Sequence, residues 1–194
     1  MTTGIKAIIF DLYGVLALNG WESFKVKYFS SREDVWHAIF ELGRKVDAGL
    51  AEYAELVRFT AEQAGVSEAT VRHEMEHTLP NKDLLAYIQT ELRPHFRLGI
   101  LSNARNDKVI SQIFTPEEVQ MFDVIAMSWH TGVTKPTDVA YHAIAKRLGV
   151  PEATCMYIDD RKHHVEGAQA AGMHAFLYVD FMACRRELEA LLRK

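Results

Sequence analysis

Short, nearly unbroken apolar runs recur along the chain, separated by longer stretches in which apolar residues return every three or four positions. Runs of the first kind mark strands covered on both faces, and stretches of the second kind mark helices that bury one side. Five runs read as strands: Ala7–Phe10, Leu98–Leu101, Val124–Met127, Cys155–Ile158 and Ala175–Val179. The run at 98–101 is short enough for a buried helical turn, but Pro94 before it and Ser102-Asn103 after it favour a strand. Helices are predicted over Thr137–Leu148, which stops at Gly149-Val150-Pro151, over His164–Ala171, which stops at Gly172, and over Arg185–Leu192. This alternation predicts an α/β fold, a Rossmann-like parallel sheet of about five strands flanked by helices.

Residues 17–83 interrupt the alternation. They contain no good strand, and they carry helical patterns at Glu33–Gly43, Glu52–Ala64 and Glu68–His77, the last entered through a loop at Val66-Ser67. The expectation is a helical cap domain over 17–83, inserted after the first strand, with 1–16 and 84–194 forming the α/β core domain. A cap that closes over a site excludes water and helps choose the substrate.

Composition narrows the function classes. A chain of 194 residues has room for one α/β domain and a small inserted module. With 48% hydrophobic and 25% charged residues it has an ordinary globular balance. A net charge of −4 offers no broad basic surface for nucleic acid or an anionic membrane. A small anionic substrate would instead need local positive groups. The two cysteines, Cys155 and Cys184, have no disulfide or zinc-site spacing, and Cys155 lies in an apolar run and reads as core. A reducing cytoplasm is therefore the expected location. The opening apolar run ends at Asp11, too soon for a signal peptide. No stretch approaches the ~18 apolar residues of a membrane span.

In open α/β sheets ligands bind beyond the carboxyl ends of the strands, so the residues that follow each strand are the candidates. The first strand is followed by Asp11-Leu12-Tyr13-Gly14-Val15 and the second by Ser102-Asn103. Thr134-Lys135-Pro136 comes after the third, and Asp159-Asp160 after the fourth. An acid, a hydroxyl, a lysine and paired acids thus converge on one edge.

The segments FDLYGVL, LSN, TKP and YIDD resemble, in order and spacing, the four motifs of the haloacid dehalogenase-like hydrolase superfamily. The resemblance spans nearly the whole chain and includes a helical cap after the first motif. It is strongest to the branch of sugar-phosphate phosphatases and the amino-terminal phosphatase domain of epoxide hydrolases. It implies Asp11 as a nucleophile that forms a covalent aspartyl intermediate. It implies Mg²⁺ held by Asp11, the Tyr13 backbone carbonyl and Asp160, with Asp159 as a further ligand or a support behind them. Lys135 would offset repulsion between Asp11 and a small phosphorylated substrate, and Ser102 and Asn103 would hydrogen-bond the transferred group.

Two positions depart from the phosphatase pattern. A second Asp usually follows the nucleophile by two residues and protonates the leaving group; here that position is Tyr13. A phenol with a pKa of ~10 is a poor acid–base group near neutrality, and loss of such a group costs about 10²–10⁴-fold. Slow phosphatase activity is expected, or a leaving group that needs no proton. Tyrosine at this position resembles the 2-haloacid dehalogenases, whose halide leaves unprotonated, so a metal-independent dehalogenase is the main alternative. A catalytically weak member that binds a ligand or a protein is the other. The paired acids Asp159 and Asp160 argue for a cation, since carboxylates beside Asp11 repel one another without one. The second departure is His164, which replaces an Asn common in the metal-dependent branch.

Other motifs carry less. His73-Glu74-Met75-Glu76-His77 matches the zinc-protease pattern HExxH, but it lacks a third ligand and reads as coincidence. His163-His164 reads as a solvated or capping pair, and Trp21, Trp36 and Phe40 as packing within the cap or lining for a substrate pocket.

Overall fold

The computed structural model describes residues 4–18, 20–47, 51–76, 78–104 and 108–192. Its strands are β1 (Ala7–Phe10), β2 (Ala17–Leu18), β3 (Leu79–Pro80), β4 (Arg97–Ser102), β5 (Val124–Met127), β6 (Cys155–Asp159) and β7 (His174–Leu177). Its helices are α1 (Gly20–Phe29), α2 (Glu33–Asp47), α3 (Tyr53–Ala64), α4 (Glu68–Glu76), α5 (Lys82–Tyr87), α6 (Lys108–Ile113), α7 (Pro116–Val119), α8 (Ser128–Thr131), α9 (Asp138–Leu148), α10 (Lys162–Ala170) and α11 (Phe181–Leu192). A π turn over Ile88–Leu92 continues α5.

Five strands form one parallel sheet in the order β5-β4-β1-β6-β7. The strands read as continuous apolar runs because both faces are covered. Alternate residues point to opposite sides, and the two cores divide accordingly. Ile8, Phe10, Leu98, Ile100, Met156 and Ile158 belong to one. Ala7, Ile9, Leu101, Cys155 and Tyr157 belong to the other, with Tyr141, Ile144 and Leu148 of α9. Burial of this kind stabilises by about 1.5–3 kcal/mol per large aliphatic side chain, before the entropy cost of ordering it. Cys155 is buried, as its apolar neighbours predict, and both cysteines are free thiols.

The chain divides into two compact units, Met1–Ala17 with Pro80–Lys194, and Leu18–Leu79. The second unit has its own core of Phe24, Phe29, Trp36, Ile39, Leu56, Val57, Ala61 and Val71. The Trp36 ring meets Trp21 edge-on at 5.6 Å and Phe29 at 5.7 Å, the favoured offset geometry of aromatic pairs. Phe40, read as packing or pocket lining, is exposed.

Several boundaries differ from the sequence reading. α2 does not stop at Gly43 but runs on to Asp47. Gly43 sits inside the helix beside the Trp21 ring, where an added Cβ would make an ordinary contact at 3.7 Å, so a glycine here does not end the helix. β7 begins one residue earlier than expected and ends at Leu177, just before Tyr178, whose N–H still donates to the Asp159 carbonyl at 2.9 Å. The short strands β2 and β3, which pair with each other, lie at the ends of a stretch read as having no strand. His77, assigned to the end of a helix, falls outside the described residues.

Candidate active site

Parallel register sets what meets at the carboxyl edge. Phe10 lies opposite Ile158 on one side and Ile100 on the other, so Asp11 and Asp159 follow at the same level. Asp11 N–H donates to the Ile158 carbonyl at 2.8 Å, which carries the β1 pairing one residue further. Only 5% of Asp11 is exposed. Its Oδ1 accepts from the Leu12 N–H at 2.7 Å and lies 2.7 Å from Lys135 Nζ.

Lys135 reaches this point from the loop between α8 and α9. The Asn103 side chain grips that loop twice: its Nδ2 donates to the Lys135 carbonyl at 3.0 Å and its Oδ1 accepts from the Lys135 N–H at 2.9 Å. Both polar ends of Asn103 are thus engaged by the lysine's backbone. Gly167 of α10 lets the neighbouring residue approach, since a Cβ there would lie 2.8 Å from the Pro136 carbonyl oxygen. The Lys135 ammonium is fully buried. It donates to Asp159 Oδ2 at 2.7 Å and to the Tyr157 hydroxyl at 2.9 Å, in addition to Asp11.

Asp159 is the most heavily bonded acid. Its Oδ1 accepts from the Arg161 N–H at 2.8 Å. Its Oδ2 accepts from Lys135 and from the Tyr157 hydroxyl. His164 Nδ1 lies 3.1 and 3.0 Å from the two oxygens and donates in the tautomer protonated there. Burial pushes this carboxyl up, but the bonds from His164, Lys135 and Tyr157 outweigh it and hold Asp159 well below the usual carboxylate range. Asp11 goes the other way. Burial pushes it up to about 6, Lys135 offsets this only in part, and the charge on Asp159 adds to the rise. Asp160, although an exposed residue, is also raised, first by partial loss of water around its carboxyl and then by Asp159.

The remaining candidates surround this pair. Gly14 has φ of 83°, a left-handed conformation that lets the chain turn after Tyr13, with the Gly14 N–H on the Ala17 carbonyl at 2.8 Å. The Asp160 carboxylate packs where a Gly14 side chain would stand. Tyr13 is half-buried, and its phenol is raised by burial and by the Asp11 charge. Ser102 ends β4 only 1% exposed, and its hydroxyl has no hydrogen-bond partner among the described residues. A buried hydroxyl left unsatisfied costs about 1–3 kcal/mol, which a substrate oxygen would remove.

Taken together, Asp11 and Asp159 share the Lys135 ammonium, and Asp160 stands beside Asp159 with Arg161 as its nearer positive charge. Ligand atoms of Asp11, Asp159 and His164 lie within 4.8 Å of one another, close enough to hold a metal ion. The oxygen donors and the surplus of negative charge fit a hard divalent cation. Asp159 is the least suited of the three acids to bind it, because both its oxygens already accept hydrogen bonds.

The sequence profile of the haloacid dehalogenase-like hydrolases matches residues 5–172. The chain belongs to this family. Among curated relatives, Phosphatase MT3486 of Mycobacterium tuberculosis (strain CDC 1551 / Oshkosh) is 28% identical over 199 residues, covering 89% of this chain and 87% of that protein. A HAD family enzyme, bt-2542 from Bacteroides thetaiotaomicron, solved in complex with magnesium and inorganic phosphate, superposes with a TM-score of 0.57 at 23% identity, over 93% of this chain and 98% of its own. The 2-haloacid dehalogenase from Pseudomonas syringae pv. Tomato DC3000 superposes with a TM-score of 0.55 at 17% identity, covering 90% and 86%.

Two features of this haloacid dehalogenase-like hydrolase escape the sequence reading. His164, read both as a replacement for the family's Asn and as one of a solvated or capping pair, is buried and bonded to Asp159, whereas His163 is exposed. Tyr157, read only as strand core, joins Lys135 to Asp159. A sequence signal existed for the second: residues i and i+2 of a strand share a face, so Tyr157 lies on the same side as Asp159. The HExxH match has a structural use instead, since Glu74 accepts from Lys27 at 2.7 Å and from the Tyr28 hydroxyl at 3.1 Å, while its second histidine lies outside the described residues. Among those residues no helix is long and apolar enough to cross a membrane.

Proposed function

We propose that this hydrolase is a Mg²⁺-dependent phosphatase of a small phosphorylated metabolite, slowed by tyrosine at position 13. The carrying observation is the buried Asp11 carboxylate, bonded to Lys135 and flanked by two further acids. The relative named as a phosphatase supports the same reaction. Both anchoring bonds to Asp11 end on Oδ1, which leaves Oδ2 to attack phosphorus while the bond to the leaving oxygen breaks. Lys135 offsets the charge of the incoming anion. The Ser102 hydroxyl supplies a donor to a phosphoryl oxygen, and Asn103 keeps the lysine's loop in place. Mg²⁺, held by Asp11, the Tyr13 carbonyl and Asp160, would neutralise charge on the phosphoryl group. The departing alkoxide needs a proton, and the raised Tyr13 phenol is a weak donor.

Tyr13 also favours a second reading, dehalogenation of a small 2-haloacid, in which the halide leaves without a proton. One experiment separates the two. The wild-type chain is assayed with p-nitrophenyl phosphate and with 2-chloropropionate, each with Mg²⁺ and with EDTA, alongside Asp11→Asn. Phosphate release abolished by EDTA and by Asp11→Asn is expected. Chloride release indifferent to EDTA selects the dehalogenase, and phosphate release that survives Asp11→Asn ends the proposal.

A further inference from the structure

We infer that Tyr157 is a positioning residue for the hydrolytic site: its hydroxyl, held between Asp159 and Lys135, aims the lysine's ammonium at the Asp11 carboxylate. The inference rests on the proposed function for its catalytic consequence, but not for its geometry.

A lysine ammonium has three hydrogens on a flexible four-carbon stem. Here it has three acceptors: Asp11 Oδ1 at 2.7 Å, Asp159 Oδ2 at 2.7 Å and the Tyr157 hydroxyl at 2.9 Å. The last two are bonded to each other and lie side by side, so together they seat one side of the ammonium while another hydrogen points to Asp11. The phenol has one hydrogen and gives it to Asp159 Oδ2, so it meets Lys135 as an acceptor. A single hydroxyl therefore ties the acid to the base, and both to the sheet.

The position of Tyr157 explains why no neighbour can take its place. It is a central residue of β6, completely buried, with its ring in the core formed by Tyr141, Ile144 and Ala168. Tyr141, whose ring lies edge-on 5.4 Å away, sends its hydroxyl elsewhere, to the His164 carbonyl at 2.7 Å. Phenylalanine at 157 would keep the packing and leave Lys135 short of one partner.

The test is Tyr157→Phe in the full chain, compared with wild type and with Ile144→Val. The control trims the same core, away from the site. Turnover of p-nitrophenyl phosphate with Mg²⁺ is measured together with the melting temperature. The Lys135 ammonium is followed by ¹⁵N–¹H spectroscopy, where a buried and fully bonded ammonium exchanges slowly enough to be seen. For Tyr157→Phe, kcat is expected to fall about 10- to 100-fold, the scale of a small misplacement of a catalytic group, with KM changed far less. The Lys135 signal should broaden or vanish. Ile144→Val should lose melting temperature yet keep both kcat and the signal. Wild-type kcat with an intact signal in Tyr157→Phe overturns the inference, as does an equal loss of kcat in Ile144→Val. If wild type hydrolyses no phosphate ester, the proposed function falls and the ammonium signal alone decides: its loss in Tyr157→Phe upholds the positioning role, and its persistence refutes it.

Discussion

Replacing Lys135 with methionine removes the ammonium and keeps most of the stem, so it isolates charge balance at the site. Two 2.7 Å ion pairs are lost, to Asp11 and to Asp159. The acids do not suffer alike. Asp159 keeps bonds from Arg161, His164 and Tyr157, whereas the bond Asp11 keeps is from the Leu12 N–H. Asp11 is therefore the acid that takes up a proton. In wild type its carboxyl is already raised from 3.8 to about 6. Between those values the folded protein holds a proton that the unfolded chain has released, so stability falls as pH rises, and it levels off above the folded value. In Lys135→Met the folded value is higher still, so the decline continues. One proton of difference is worth about 1.4 kcal/mol per pH unit. The two stability curves should nearly coincide in shape below about pH 6 and diverge above it, by at most about 1.4 kcal/mol per pH unit. Urea denaturation followed by circular dichroism, in EDTA across this range, measures the gap. Parallel curves with a constant offset would refute the reasoning, because they would mean that Lys135 is not what keeps Asp11 ionised.

Tyr13→Asp should raise phosphate-ester turnover by about 10²-fold by restoring an acid–base group; an unchanged kcat would show that the phenol is no handicap. Gly14→Ala should cost about 1–2 kcal/mol in urea denaturation, because φ of 83° is unfavourable for a residue with a Cβ. The same substitution pushes the Asp160 carboxylate aside, so calorimetric titration with Mg²⁺ should show weaker binding than wild type.

The central strands were legible because each is apolar on both faces, and the structure assigns alternate residues of β1, β4 and β6 to opposite cores. β7 is an edge strand with partly exposed residues, so its apolar run gave a poor guide to its limits. Just past its end the Tyr178 hydroxyl accepts from the Asn81 side chain at 2.8 Å. Helix α1 was missed because its buried residues, Phe24 and Phe29, are spaced irregularly among other aromatics and show no clean stripe. At the site, Asp11, Ser102 and Asp159 at strand ends and Lys135 in the loop before α9 are readable as a set. Their division of labour is not. That Asn103 holds a backbone, that Asp159 is bonded on both oxygens, and that His164 turns inward all depend on contacts between segments far apart in the chain. No local pattern encodes such contacts.

The middle strand of the sheet is also the first to be made. A ribosome releases β1 long before either of its flanking partners exists, because Ala7 must wait for Arg97 on one side and Cys155 on the other. The intervening Leu18–Leu79 unit has a core of its own and can condense meanwhile. Assembly of the sheet, and with it the meeting of Asp11 and Asp159, must wait for β6, and pairing over such a separation is slow and leaves apolar edges open to aggregation meanwhile. A nascent chain halted before β6 would carry Asp11 with no frame to hold it.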